Sequence, residues 1–200
     1  MTQVQSHHSI VTTSFDAFCQ QHKELPATFN SLNPTINSNI VLYAIWFAQQ
    51  GHGRLTLTRL KNLHSSTNQW RQLISLPLQT LDSTLPIGNS ITIQKIHKSI
   101  HALIRSSNRI QQEQLTQLTP THPQLERSEK QILNDICTNI THYLRQHKVT
   151  LSQADFSHIF SLLTLLLPEY HPAQIKELLH YKCKINQIIQ LELAQLTPFN

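Results

Sequence analysis

From Ile40 to Ala48 the chain runs for nine residues without a polar break, through Ile-Val-Leu-Tyr-Ala-Ile-Trp-Phe-Ala. A segment that is apolar on every side has to be enclosed by protein on every side. Its β-branched and aromatic side chains would also suit a buried strand, so the flanks decide. Ser38 is placed to cap a helix N-terminus, and Gly51 stands where a left-handed residue closes a helix C-terminus. The stretch Asn39 to Gln50 therefore reads as a helix of about 18 Å at 1.5 Å per residue. The rest of the chain, rich in Gln, Asn, Ser, Thr and His, has to supply the walls around it.

Two hundred residues make one domain or two small ones, enough to bury roughly 70% of the surface an unfolded chain exposes. Nine apolar residues fall far short of the ~20 that cross a bilayer. Met1 to Val11 is polar, with His7 and His8, which argues against a signal peptide and a membrane role. Cys19, Cys137 and Cys183 are odd in number, far apart and not in Cys-x-x-Cys pairs. That pattern points to reduced thiols in the cytoplasm. Sixteen Lys and Arg against eleven Asp and Glu give +5 and a pI near 9.3, a balance that permits a polyanionic partner without demanding one.

Taken in order, residues 1–12 read as a disordered tail. Phe15, Phe18 and Cys19 share one face of a short helix. Pro26 opens a weaker piece to Leu32, which Asn33-Pro34 stops. After the central helix, Thr56 caps a short helix bearing Leu57, Leu60 and Leu63. Ser66 and Gln69 have the spacing of a capping box for a helix from Thr67 to Asp82, with Trp70, Leu73, Ile74, Leu78 and Leu81 as its buried face. Pro77 predicts a kink near Leu73 to Pro77. Leu85-Pro86-Ile87-Gly88 is a break, and a long helix follows from Ile91 to Leu118, weakest at Ser106-Ser107-Asn108. Thr119-Pro120-Thr121-His122-Pro123 is the natural internal boundary. Beyond it, Ser128 with Gln131 and Ser152 with Asp155 open two helices, Pro168 ends the second, and Pro172 starts a last one to Leu196. Its stripe is Ile175, Leu178, Leu179, Ile185, Ile189, Leu193 and Leu196, with Lys182 snorkelling from it. No segment alternates like a strand.

Leu42-Tyr43-Ala44-Ile45-Trp46-Phe47-Ala48 followed by Gly51, then Trp70 leading to Pro77-Leu78, then the helix Ile96 to Leu118, resembles a small bacterial family of uncharacterised helical proteins over residues 14–118. The third segment departs from that pattern in being rich in Gln and poor in acids, and the C-terminal part has no place in it. The resemblance implies a helical bacterial protein of unknown biochemical role and brings no catalytic residues with it.

Enzyme signatures are sparse. Gly51, Gly53 and Gly88 are the only glycines, too few for a phosphate-cradling loop or dinucleotide fingerprint. There is no Gly-x-Ser-x-Gly elbow and no His-Glu-x-x-His. Glu126 and Glu129 are the nearest pair of carboxylates and sit at a helix start, where the dipole explains them. His97 and His101 lie four apart on one helix side, a spacing that suits zinc or nickel given further ligands. No Asp, Glu or Cys lies near them in sequence, and thirteen histidines produce such a pair by scatter, so no metal and no other cofactor is assigned. Both tryptophans fall on apolar faces and read as core.

On the same helix Lys95, Lys98, Arg105 and Arg109 fall within about 80° of one another at ~100° per residue, opposite Ile96, Ile100, Leu103 and Ile110. Arg59, Lys61 and Arg71 would extend this basic stripe if the helices pack side by side. The stripe could bind nucleic-acid phosphates, but no recognised motif or aromatic platform accompanies it. The expectation is an all-α bundle of seven to nine helices, with a unit over 13–119 and a three-helix part over 126–200 that may share its core. The expected role is a non-enzymatic cytoplasmic protein working through an unidentified protein partner or self-association. The alternative is an RNA- or DNA-associated module using the four stripe residues.

Overall fold

The computed structural model describes residues 13–22, 34–86, 88, 90–120, 125–149 and 151–196, the stretch 185–196 as helical backbone only. The tail over 1–12 and the weak piece around Pro26 to Leu32 lie outside these residues. The described elements are α1 (Phe15–Gln21), α2 (Ser38–Gln49), α3 (Leu57–Trp70), a π turn (Arg71–Ser75), α4 (Leu76–Thr84), α5 (Ile91–Gln117), α6 (Glu129–Gln146), α7 (Gln153–Leu166) and α8 (Pro172–Leu196). No strand occurs among them, and the protein is an all-α multi-helix bundle. No helix among the described residues is long and apolar enough to cross a membrane.

The apolar run is the post of the bundle, with every residue from Asn39 to Ala48 buried. Its N-cap is Asn37, not Ser38: the Asn37 side chain accepts from the Asn39 amide, and Ser38 is the first helical residue. Either residue type can cap, and Asn37 takes the place because its own side chain is also tied into the interior. The C-terminus closes as the sequence predicts. Gly51 has φ +76°, the His52 amide bonds the Phe47 carbonyl at 3.1 Å, and the Gly51 amide bonds Ala48 at 3.0 Å, which is a Schellman closure.

α2 packs chiefly on α6, and α6 in turn on α8. One apolar cluster joins Phe15 and Phe18 of α1, the whole of α2, Leu115 of α5, and Ile136, Ile140, Leu163 and Leu179 from α6 to α8. Residues on both sides of the Thr119 to Pro123 segment thus share a single core. Ser128 and Ser152 both form the expected capping boxes, and Thr56 caps α3 through the Arg59 amide. Trp46 is 3% exposed, and its indole donates to the Thr13 carbonyl at 2.9 Å.

A polar clasp completes the seat of α2. Asn139 of α6 is fully buried, accepts from the Leu55 amide at 2.7 Å, and donates to the Gly53 carbonyl at 3.1 Å and the Ala44 carbonyl at 3.3 Å. Asp135, one turn earlier, is also buried and is gripped by Arg54 at 2.8 Å and Arg127 at 2.7 Å. Gly53 has φ +79°, and a methyl group there would meet the Arg127 guanidinium at 2.4 Å. The three cysteines are free, and burial pushes the Cys19 and Cys137 thiols up to about 12.

The largest departure from the sequence reading lies between α3 and α4. No helix starts at Ser66, whose hydroxyl donates back to the Leu63 carbonyl while the helix runs on. The helix then widens over Arg71–Ser75, where the Leu76 amide reaches back five residues to the Arg71 carbonyl. Pro77 is the cause we assign, because it has no amide to offer the turn before it and its ring crowds that turn. The wider turn uses an extra residue, and each residue rotates a helix by about 100°. Everything beyond is therefore shifted by one position. Of the expected inward set Trp70 and Leu78 are half-buried and Ile74 is exposed, while Arg71 and Ser75 are buried and Asp82 is half-buried. Leu73 and Leu81 face solvent, 66% and 47% exposed.

α5 runs unbroken for 27 residues, about 40 Å, through the supposed weak point at Ser106 to Asn108. Its buried face is Ile100, Ile104, Ser107, Asn108, Gln111 and Leu115, while Ile96 and Leu103 of the predicted face are exposed. Helix polarity was misjudged there because the amides and hydroxyls find partners inside and so carry no burial penalty.

Candidate functional site

Three places on the α3–α5 side of the molecule bear on function. The first is a buried polar seam where the start of α2 meets the π turn and α5. Arg71 is 7% exposed and donates to the carbonyls of Pro34 and Ile36. Among the described residues no carboxylate pairs with it. Burial lowers its pKa from the ordinary value, with the Tyr143 phenol opposing. Asn37 donates to Gln111 at 3.0 Å and Thr67 at 3.2 Å, Gln111 donates to Ser75 at 2.8 Å, and Ser75 meets Ser107 at 2.7 Å. Trp70 is half-buried and gives its indole N–H to Ser107 at 3.0 Å. The recess beside Arg71 holds about 150 Å³, below the roughly 300–1,000 Å³ of ligand pockets. Among its described residues the seam offers no nucleophile with a base beside it. It positions backbone.

The second is the arm that the seam supports. Among the described elements α4 packs substantially with the π turn and α5 alone, so α4 and the first half of α5 form a helical hairpin beside the main core. Ile91 and Leu103 on α5 are 71% and 54% exposed, and Ile96, Leu73, Ile74 and Leu81 are exposed as well. Lys95, Lys98, Arg105 and Arg109 are all exposed, as the sequence predicts. Arg109 pairs with Glu113 at 3.2 Å, four residues on, and Arg105 and Arg109 border a shallow recess with Cys19 and Gln20 of α1. Of the residues expected to extend the stripe, Lys61 alone is exposed. Arg71 is buried, and Arg59 is spent on the Leu118 carbonyl at 2.6 Å and on the face of Phe47 at 5.2 Å.

The third is a contact inside the arm. His97 and His101 lie on the side of α5 that faces α4, and the fold brings Asp82 to both. Asp82 Oδ1 stands 3.2 Å from His97 Nδ1 and 3.0 Å from His101 Nε2. The sequence reading saw no carboxylate near these histidines because it looked along the chain. The available signal was the break at Leu85 to Gly88: two helices doubled back across a short break set the end of one against the start of the next. The π turn hid the answer, since a regular helix would present Leu81 there.

Elsewhere, a groove of about 560 Å³ between α6 and α8 is bordered by Glu129, Lys130, Glu177, Tyr170 and Tyr181. Compared with protein-family models, curated proteins and solved structures, the chain matches none of them.

Proposed function

We propose that this is a non-enzymatic cytoplasmic protein, of the bacterial helical kind that its Trp-containing segments resemble, that works by holding a partner protein on the α4–α5 arm. One observation carries the reading: six aliphatic side chains, Leu73 and Ile74 of the π turn with Leu81, Ile91, Ile96 and Leu103 of the α4–α5 hairpin, are exposed. Exposed apolar patches mark interaction sites. The partner surface is an acidic amphipathic segment, because the exposed cations Lys95 and Lys98 on the arm, with Arg105 and Arg109 farther along α5, outnumber Asp82 and Glu113. The same surplus works against two copies of the arm meeting face to face. Free thiols support a reducing compartment.

The test is capture from native host lysate, with and without nuclease, by the wild type and by a Leu73→Asp, Leu103→Asp variant. The expected result is a protein with an acidic segment that resists nuclease and is lost with the variant. Capture of nucleic acid that disappears with nuclease and weakens steeply with salt would replace this reading with the RNA or DNA one. Equal capture by the variant would remove the arm from the argument.

A further inference from the structure

The geometry points to a divalent transition-metal site formed by Asp82 of α4 with His97 and His101 of α5, Zn²⁺ being the ion of first choice. Zinc holds imidazole nitrogen and carboxylate oxygen at roughly 2.0–2.2 Å, which in a tetrahedral shell sets ligand atoms about 3.4 Å apart. The Asp82 oxygen stands 3.2 and 3.0 Å from the two ring nitrogens, and all three ligand atoms lie within 4.8 Å of one another. The two oxygen–nitrogen distances need only a slight opening to admit the ion. Two imidazoles and a carboxylate suit zinc, and also cobalt and nickel, better than calcium or magnesium, which prefer oxygen.

The second ring nitrogen of His97 supplies a further argument. His97 Nε2 lies 3.5 Å from the Pro86 carbonyl, while Nδ1 faces Asp82. Both neighbours are acceptors, and a neutral imidazole has a single N–H. A metal on Nδ1 leaves that N–H on Nε2, aimed at the carbonyl, which is how metal-bound histidines are usually oriented. Half of the His101 side chain is open to solvent (53% exposed), so the ion has an entry path and a place for water as fourth ligand. Asp82 and His97 are more enclosed, at 20% and 26%. The bound ion would tie α4 to α5 across the hairpin, where no disulfide does so. This site stands or falls independently of what the arm binds.

The experiment is calorimetric titration of the full chain with Zn²⁺, paired with Co²⁺ absorption in the visible and thermal melts with and without metal. The variants are Asp82→Asn and His97→Gln with His101→Gln, and a control carries His171→Gln and His180→Gln, two exposed histidines on another face. The expected result is one equivalent bound at micromolar metal, a tetrahedral cobalt spectrum and a raised Tm. Each site variant should weaken binding by about tenfold or more, with the control unchanged. Melts without metal establish that the variants fold, and His101→Gln alone, at the most exposed ligand, serves if the double variant does not. Absence of binding at excess metal overturns the proposal. So does binding that survives the site variants, which would assign the ion to other histidines, or a Tm rise equal in all chains.

Discussion

Replacing Asn139 with alanine isolates what a single buried amide does for the seat of α2. In the wild type its oxygen takes the Leu55 amide and its nitrogen serves the Gly53 carbonyl. The third contact, to Ala44, matters less, because a carbonyl inside a helix keeps its main-chain bond. Truncation leaves one buried N–H and one buried C=O without partners, each worth about 1–3 kcal/mol. The expected loss is therefore about 2–6 kcal/mol, out of the 5–15 kcal/mol typical of a folded protein. At roughly 2–4 °C per kcal/mol for a chain of this size, Tm falls by at least about 4 °C. Urea titration followed by far-UV circular dichroism gives the free energy directly. Asn134→Ala, on the same helix but only half-buried, is the control and should stay within about 0.5 kcal/mol. If Asn139→Ala also lies within about 0.5 kcal/mol of the wild type, the clasp does not hold the 53–55 loop, and the packing of α2 on α6 must suffice without it.

Two other outcomes follow from the same structure. Trp46→Ala removes a core indole that packs on Phe15 and Tyr43 and should cost about 3–5 kcal/mol; equilibrium unfolding measures it, and a variant as stable as the wild type would displace α2 from the centre of the bundle. His64 stacks on His147 at 3.9 Å, and its pKa is lowered to about 4 by burial, with the His147 and Arg71 charges adding to it. The unfolded ring takes a proton near 6.5 and the folded one does not, so its contribution is present above 6.5 and is lost as pH falls toward 4. Urea midpoints between pH 6.5 and 5 should fall for the wild type and fall less for His64→Phe; equal slopes would refute the assignment.

Much of this architecture was legible along the chain, for local reasons. The apolar run, the left-handed Gly51, and the Ser128 and Ser152 boxes are each written within a few residues, and helix ends obey such short rules. What escaped reading depends on distance. Asn139 looks like any other Asn in a chain full of them until the fold sets it beside Leu55. Asn37 displaced Ser38 as a cap because Gln111 and Thr67 engage it from other helices. Pro77 announced a defect, but the consequence lay upstream and in phase: the helix absorbed an extra residue, and the leucines chosen for the interior went to the surface. The basic stripe was found because exposed charges need no partner. Asp82 was missed because a partner across a hairpin is invisible to spacing.

The widened turn before Pro77 has a bearing on how such a protein can change over time. Beyond Ser75 the identity of the outward face is decided by a count of residues rather than by the residues themselves. Loss of a single codon between Trp70 and Leu76 would rotate the following helix by about 100°, hiding Leu81 and turning Asp82 away from the histidines. No residue beyond Ser75 would have been altered, yet the hairpin would exchange a greasy exterior for a polar one. Descendants of this chain can therefore acquire or abandon the arm's properties in one step, and aligned columns of similar residues would not reveal it.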